Sequence, residues 1–138
     1  MRQAAFGRFY ADGELIACQG EVGDCLYVVQ DGEVEIVVEH AGTEVVLRTA
    51  GRNEVLGEMA IFDKQPRSAT IRAKGRARIL TLDRQNFLRR INEDPSLAYR
   101  MIEASSHRVR ELSDEIVRLR AQLDTARASG DTAAPVDR

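Results

Sequence analysis

The chain has 138 residues, enough for one domain and an appendage, and its formal net charge of −2 argues against nucleic acid as a main partner, since phosphate backbones are held by a basic surplus. No apolar run approaches membrane-spanning length, and Met1-Arg2-Gln3 leads into no signal-peptide core. Cys18 and Cys25, the only cysteines, do not form a disulfide framework, so a reducing cytoplasm is the expected compartment and no membrane partner is expected.

The N-terminal part predicts short strands punctuated by turns. Residues 14–18 read as a strand and Gln19-Gly20-Glu21-Val22-Gly23-Asp24 as the loop after it. Residues 25–29 form the next expected strand. Asp31-Gly32 is the expected hairpin turn, because both central residues of a type I′ turn need positive φ. The return strand, residues 33–39, alternates: Val34, Ile36 and Val38 toward one face, Glu33, Glu35 and Glu39 toward the other, as in a half-buried strand. His40-Ala41-Gly42-Thr43 then turns the chain into residues 44–48.

The stretch Gly57-Glu58-Met59-Ala60-Ile61-Phe62-Asp63-Lys64-Gln65-Pro66-Arg67-Ser68-Ala69-Thr70 gathers residue types suited to a sugar joined to an anionic phosphate. Gly57 permits close backbone approach. Glu58 can accept from a ribose hydroxyl, and Arg67 can fork onto phosphate oxygens. Residues 58–62 read as one short helical turn whose N–H groups could face an anion. The bland alternative is a helical turn with a surface arginine before an edge strand.

Residues 70–73 and 78–82 read as two more strands hinged at Gly75, and so many short strands suggest a closed jelly-roll barrel. Asp83 is the expected N-cap of a helix over residues 84–91, which Asn92-Glu93-Asp94-Pro95 ends. Pro95 suits the first turn of a last, long helix. There Ile102, Ser105, Val109, Leu112, Ile116, Leu119, Leu123 and Ala126 recur at alternating steps of four and three, a sustained heptad seam. With Ile102 at position a, Glu115 falls at g and Arg120 at the following e, a pairing that favours a parallel homodimer through Val109, Leu112, Ile116, Leu119 and Leu123. From Ser129 the tail lacks periodicity and is expected to be disordered.

The segment Gly57-Glu58-Met59-Ala60-Ile61, a turn, then Arg67-Ser68-Ala69 resembles the phosphate-binding cassette of the cyclic nucleotide-binding domain family of catabolite activators and protein kinase A regulatory subunits. Its turn, ending in Pro66, is nearer the kinase regulatory type. The run Gln19-Gly20-Glu21-x-Gly23-Asp24, Tyr27 and Asp31-Gly32-Glu33-Val34 resembles the first barrel strands of the same family. The resemblance implies a mainly β fold with α: a jelly-roll barrel with cassette and hinge helix over residues 1–94, a long C-terminal dimerisation helix over 95–128, and the tail 129–138. It implies a ligand site at Gly57, Glu58, Met59, Ala60, Arg67, Ser68 and Ala69, with Arg108 and Ser113 on the long helix reaching the base. By the heptad, Arg108 at g lies beside the partner's Ser113 at e, while Leu112 stands where the family has a first hydroxyl. Cyclic AMP is the expected ligand, with cyclic GMP the alternative, because a hydroxyl at Ser68 is found with either. The heptads end too near the C-terminus for the helix-turn-helix of bacterial activators to follow, and the helices that usually precede the barrel are nearly absent, so a stand-alone sensor or a fragment is expected.

Other chemistries find little support. His40 and His107 stand alone, so no metal site is expected; two cysteines are too few for an iron–sulfur cluster, and a haem would lack paired axial ligands. No nucleophile–base–orienter set appears, so no catalysis is expected. The remaining alternative is a dimeric coiled-coil interaction module whose barrel no longer responds to nucleotide. Retention of both Glu58 and Arg67 argues against it. The output partner is not legible in the sequence.

Overall fold

A computed structural model describes residues 7–129. The elements in chain order are β1 (Arg8–Tyr10), β2 (Leu15–Ala17), β3 (Cys25–His40), β4 (Thr43–Ala50), β5 (Val55–Leu56), α1 (Met59–Asp63), β6 (Thr70–Asp83), α2 (Arg84–Glu93) and α3 (Pro95–Ala128). The strands form one antiparallel six-stranded sheet, ordered β1-β6-β3-β4, with β2 also paired to β6 and β5 to β3. This is the jelly-roll architecture that the sequence predicts, followed by a short helix and a long one.

Two long strands organise it. β3 and β6 pair along most of their length, from Cys25↔Asp83 to Val37↔Thr70. At about 3.3 Å per residue, sixteen residues of straight β3 would overrun a domain this small, so the strand has to bend. Consecutive register shifts at Val29/Asp31 and Asp31/Glu33 supply the bend. Asp31-Gly32 is therefore not a hairpin turn, as its sequence suggests, but part of an irregularity inside one strand. The reason lies opposite it: Gly32 has φ +82°, and a Cβ there would stand 2.3 Å from the Arg76 carbonyl oxygen and 2.9 Å from Ala77 Cα. Gly75, at φ +73°, bends β6 at the same level. The two strands expected either side of it are one continuous strand. The type I′-like hairpin sits instead at Ala41-Gly42, with φ 54° and 81°, joining β3 to β4.

The predicted alternation in residues 33–39 also breaks. Val34 and Val37 are buried, because the β3–β4 register shifts between Ile36 and Val37 and turns Val37 inward in place of Val38. The core is built from Tyr10, Ala17, Tyr27, Val29, Val34, Ala50, Leu56, Ile71, Ala73, Ala77 and Ile79, with Ile16, Cys25 and Ile36 packed against it. β1 and β5 have no counterpart in the sequence reading, since two or three residues are too few to show a period.

The helix ends follow the capping residues. Asp83 Oδ1 accepts from the Asn86 N–H at 2.8 Å, opening α2, which continues to Glu93, two residues past the expected end. Asp94 caps α3 by accepting from the Ser96 N–H at 3.2 Å, with Pro95 in the first turn. The chain divides between Glu93 and Asp94 into two compact units, the sheet with α1 and α2 in one and α3 in the other. Most of the expected tail, from residue 130, lies outside the described residues.

Candidate functional site

The site is assembled on the sheet unit from three separate stretches. β5 pairs beside β3 with Tyr27 opposite Leu56, so Gly57 leaves the sheet directly over the Tyr27 ring. Gly57 has φ +75°, and a Cβ there would stand 2.7 Å from Arg67 Nη1 and 3.3 Å from Tyr27 Cδ2. Glycine is therefore required twice over, by backbone and by space. α1 follows at once: Glu58 occupies its N-cap position without a side-chain cap bond, and Ala60 and Ile61 are buried. The Ala60 and Ile61 N–H groups donate to the carbonyls of Gly57 and Glu58, so they are engaged within the turn that the sequence offers to an anion. Lys64, in left-handed conformation, ends the helix, and the chain returns to Arg67.

Arg67 is tied down at both ends. Its backbone N–H donates to Glu21 O at 2.8 Å, and its carbonyl accepts from the Gly20 N–H at 2.8 Å. The neighbouring Gln19 N–H donates to Thr70 Oγ1 at 2.9 Å, which continues the pairing of loop and cassette. At the other end Nη2 donates to the Cys25 carbonyl at 3.1 Å and lies 3.5 Å from both Cys25 Sγ and Tyr27 Oη. The guanidinium carbon lies 5.1 Å from the centre of the Tyr27 ring, within cation–π range. A Cβ on Gly23 would stand 2.7 Å from Nη2. Gly23 and Gly57 thus leave room for the two amino groups of one half-buried guanidinium. Burial pushes the Tyr27 phenol well above its usual range; the hydrogen bond it shares with Cys25 acts in the same direction, and the Arg67 charge opposes them.

The electrostatic setting of Arg67 differs from that of three other arginines of the sheet. In the same sheet Arg8, Arg48 and Arg72 each meet a carboxylate at 2.9–3.2 Å. Arg67 meets only neutral groups among the described residues, and only its Nη2 donors have protein acceptors there. A half-buried cation without an anionic partner leaves both charge and directed N–H groups for an incoming anion.

Of the expected site residues, Gly57 and Arg67 are brought into direct contact. Glu58 and Ala69 are half-buried, Ala60 is buried, and Met59 and Ser68 are exposed. Arg108 and Ser113 lie on α3, in the second unit, where Arg108 pairs with Glu111 at 3.4 Å and Ser113 is exposed. Cys25, Tyr27 and Gly23 join the site beyond those expectations; Gly23 and Tyr27 stand out in the sequence only in the run that resembles the family's first strands. Among the described residues no group of three His, Cys, Asp or Glu side chains is placed to hold a metal, and no helix is long and apolar enough to cross a membrane.

Fold and site together define a class: a jelly-roll domain carrying a short helical cassette and an arginine that no carboxylate among the described residues neutralises. The family profile described as "Cyclic nucleotide-binding domain" matches residues 7–94, and the chain belongs to that family. It is 34% identical over 110 residues to the cyclic AMP receptor protein of Thermus thermophilus, covering 79% of this chain and 51% of that one. It is 36% identical over 81 residues to the cAMP-dependent protein kinase regulatory subunit of Blastocladiella emersonii, covering 58% of this chain and 20% of the relative. The crystal structure of Thermus thermophilus catabolite activator protein superposes with a TM-score of 0.73 at 33% identity, over 83% of this chain and 55% of that one. The chain thus spans about half of the bacterial relative and a fifth of the kinase regulatory subunit.

Proposed function

We propose that the chain is a homodimeric regulatory sensor of a 3′,5′-cyclic nucleotide, with cyclic AMP the preferred ligand and cyclic GMP the competitor. Arg67 holds the cyclic phosphate, Glu58 accepts from the ribose 2′-hydroxyl, and Gly57, Met59, Ala60, Ser68 and Ala69 line the sugar–phosphate. On α3, Arg108 and the partner's Ser113 close over the base, so that ligand alters the helix and whatever is joined or bound to it. The observation that carries this reading is the Arg67 guanidinium, half-buried beside Gly23 and Gly57 with only neutral partners among the described residues. The cyclic AMP named for the Thermus and kinase relatives supports the choice of base. Calorimetric titration of both nucleotides into wild type and Arg67→Ala tests it: micromolar or tighter binding by wild type alone is expected, and equal binding by the variant rejects the phosphate assignment.

A second reading has its own support. Ile102, Val109, Leu112, Ile116, Leu119 and Leu123 are all exposed on α3, which suits a coiled-coil module whether or not the barrel binds nucleotide. A chain that sediments as a dimer and gives no heat with either nucleotide would be that module.

A further inference from the structure

Arg67 depends on residues that carry no charge, and these residues offer a separate handle on the site. Its guanidinium rests against a ring that belongs to the sheet: Tyr27 is only 8% exposed and pairs with Leu56 on one side and Thr81 on the other. The phenol is itself fixed, since the Cys25 thiol donates to Tyr27 Oη at 3.4 Å. Opposite, a Cβ on Gly23 would fall 2.7 Å from Nη2, 3.3 Å from Nε and 3.4 Å from Cζ of the same side chain. All three are at the flexible end of Arg67, so filling that space moves the guanidinium and spares the sheet.

Resting on the cyclic-nucleotide reading above, we propose that Tyr27 and Gly23 are positioning residues that set the affinity of the site for a cyclic phosphate through Arg67. The Tyr27 ring holds the guanidinium at one depth by cation–π contact, and the Cys25 carbonyl fixes its roll by accepting from Nη2. Gly23 leaves space beside Nη2 and Nε that a Cβ would fill. With Nη2 occupied, the donors on Nε and Nη1, which have no acceptor among the described residues, remain for an anion. A charge held this way needs no rearrangement when the phosphate arrives, so little ordering entropy opposes binding.

The test compares Tyr27→Phe, Tyr27→Leu and Gly23→Ala in the full chain. Nucleotide affinity is measured by calorimetry, and the Arg67 Nε–H resonance is followed by NMR without added nucleotide. Tyr27→Phe keeps the ring and is expected to keep both the resonance and most of the affinity. Tyr27→Leu and Gly23→Ala are expected to shift the resonance and to weaken binding about tenfold, the scale of one lost cation–π contact. The preference for cyclic AMP over its 2′-deoxy analogue should survive in both, because the ribose contact is not made by Arg67. In an Arg67→Lys background the further loss from Gly23→Ala should nearly vanish, whereas a purely structural role would cost the same in either background. Equal losses in the two backgrounds, or wild-type affinity in Gly23→Ala, overturn the proposal. Gly23→Ala decides the matter alone if Tyr27→Leu does not fold. Should wild type bind neither nucleotide, the parent reading fails. Positioning then stands on a shifted Arg67 resonance in Gly23→Ala and falls on an unchanged one.

Discussion

Arg67 concentrates the chemistry of the site in one side chain, and its surroundings give its removal a definite expected size. Losing one side of a partly buried charge pair costs about 2–5 kcal/mol, so Arg67→Ala should weaken nucleotide binding by that amount. Arg67→Lys should not restore it fully, since a point charge cannot reproduce a fork that donates to Cys25 and would keep further donors for the proposed phosphate. Tyr27 adds a pH signature to the same contact. Its phenol is raised above the ordinary value of 10.0, chiefly by burial, so the native state holds its proton at a pH where the unfolded chain releases it. The stability this contributes is complete below the unfolded value and is lost as pH rises through and above it. Urea midpoints taken between neutral pH and about 11, where an exposed tyrosine has largely ionised, should fall more steeply for wild type than for Tyr27→Phe. Parallel curves would mean that the phenol is not held neutral.

At the level of elements, the bulged pair β3–β6 shows that glycines with similar φ can have unlike roles. Gly32 and Gly42 have φ +82° and +81°, yet a Cβ on Gly32 would strike the Arg76 backbone while one on Gly42 would meet nothing within 4 Å. Gly42→Ala should therefore cost only the left-handed penalty, about 1–2 kcal/mol. Gly32→Ala should cost clearly more, because backbone must also move; equal urea midpoints for the two variants would count against the bulge. The same pair marks what the sequence could and could not tell. Asp31-Gly32 announces positive φ but not what lies opposite, and only the continuing β6 makes it a bulge where a hairpin is expected. The Asp83 cap was legible because it acts within three residues of itself; Asp94 works at the same short range but reads in the sequence only as part of the break before Pro95. Gly57 and Arg67 were legible as a short motif, whereas the contacts that hold Arg67 span 40 and 42 residues and leave no local pattern. Asp94 supplies a check at the start of α3. Its carboxyl is held below the usual value of 3.8 mainly by the bond from the Ser96 side chain. Its contribution should persist above that value and disappear as pH falls through the lowered one, a loss that Asp94→Asn should not show.

For the whole molecule, the proposed function gives α3 two roles, joining two copies and reporting on the ligand, and each has its own test. Its 34 residues make a helix on the order of 50 Å long, and it buries none of its own side chains. Ile102 is 65% exposed and Ile116 59%, and covering each such side chain is worth about 1.5–3 kcal/mol, so the seam has a strong drive to pair. A glutamate at position a of such a seam would be desolvated without a partner. The proposed dimer predicts that wild type sediments as a dimer and Ile116→Glu as a monomer; a persistent dimer would assign the interface to the sheet unit, and a monomeric wild type would reject the dimer. Linkage then makes a second demand. If Arg108 and the partner's Ser113 contact the base only in the paired arrangement, each nucleotide must tighten pairing, and pairing must tighten its binding, by the same factor. Such couplings are typically about 1–3 kcal/mol, or roughly 5- to 150-fold. Ile116→Glu should consequently lose nucleotide affinity by a factor in that range while keeping measurable binding at Arg67 and Glu58. Saturating cyclic AMP should in turn lower the wild-type dimer dissociation constant by the square of that factor, since a dimer holds two nucleotides. Equal nucleotide affinity in monomer and dimer would leave two independent devices on one chain, a ligand-binding sheet and a dimerising helix, with no signal passing between them.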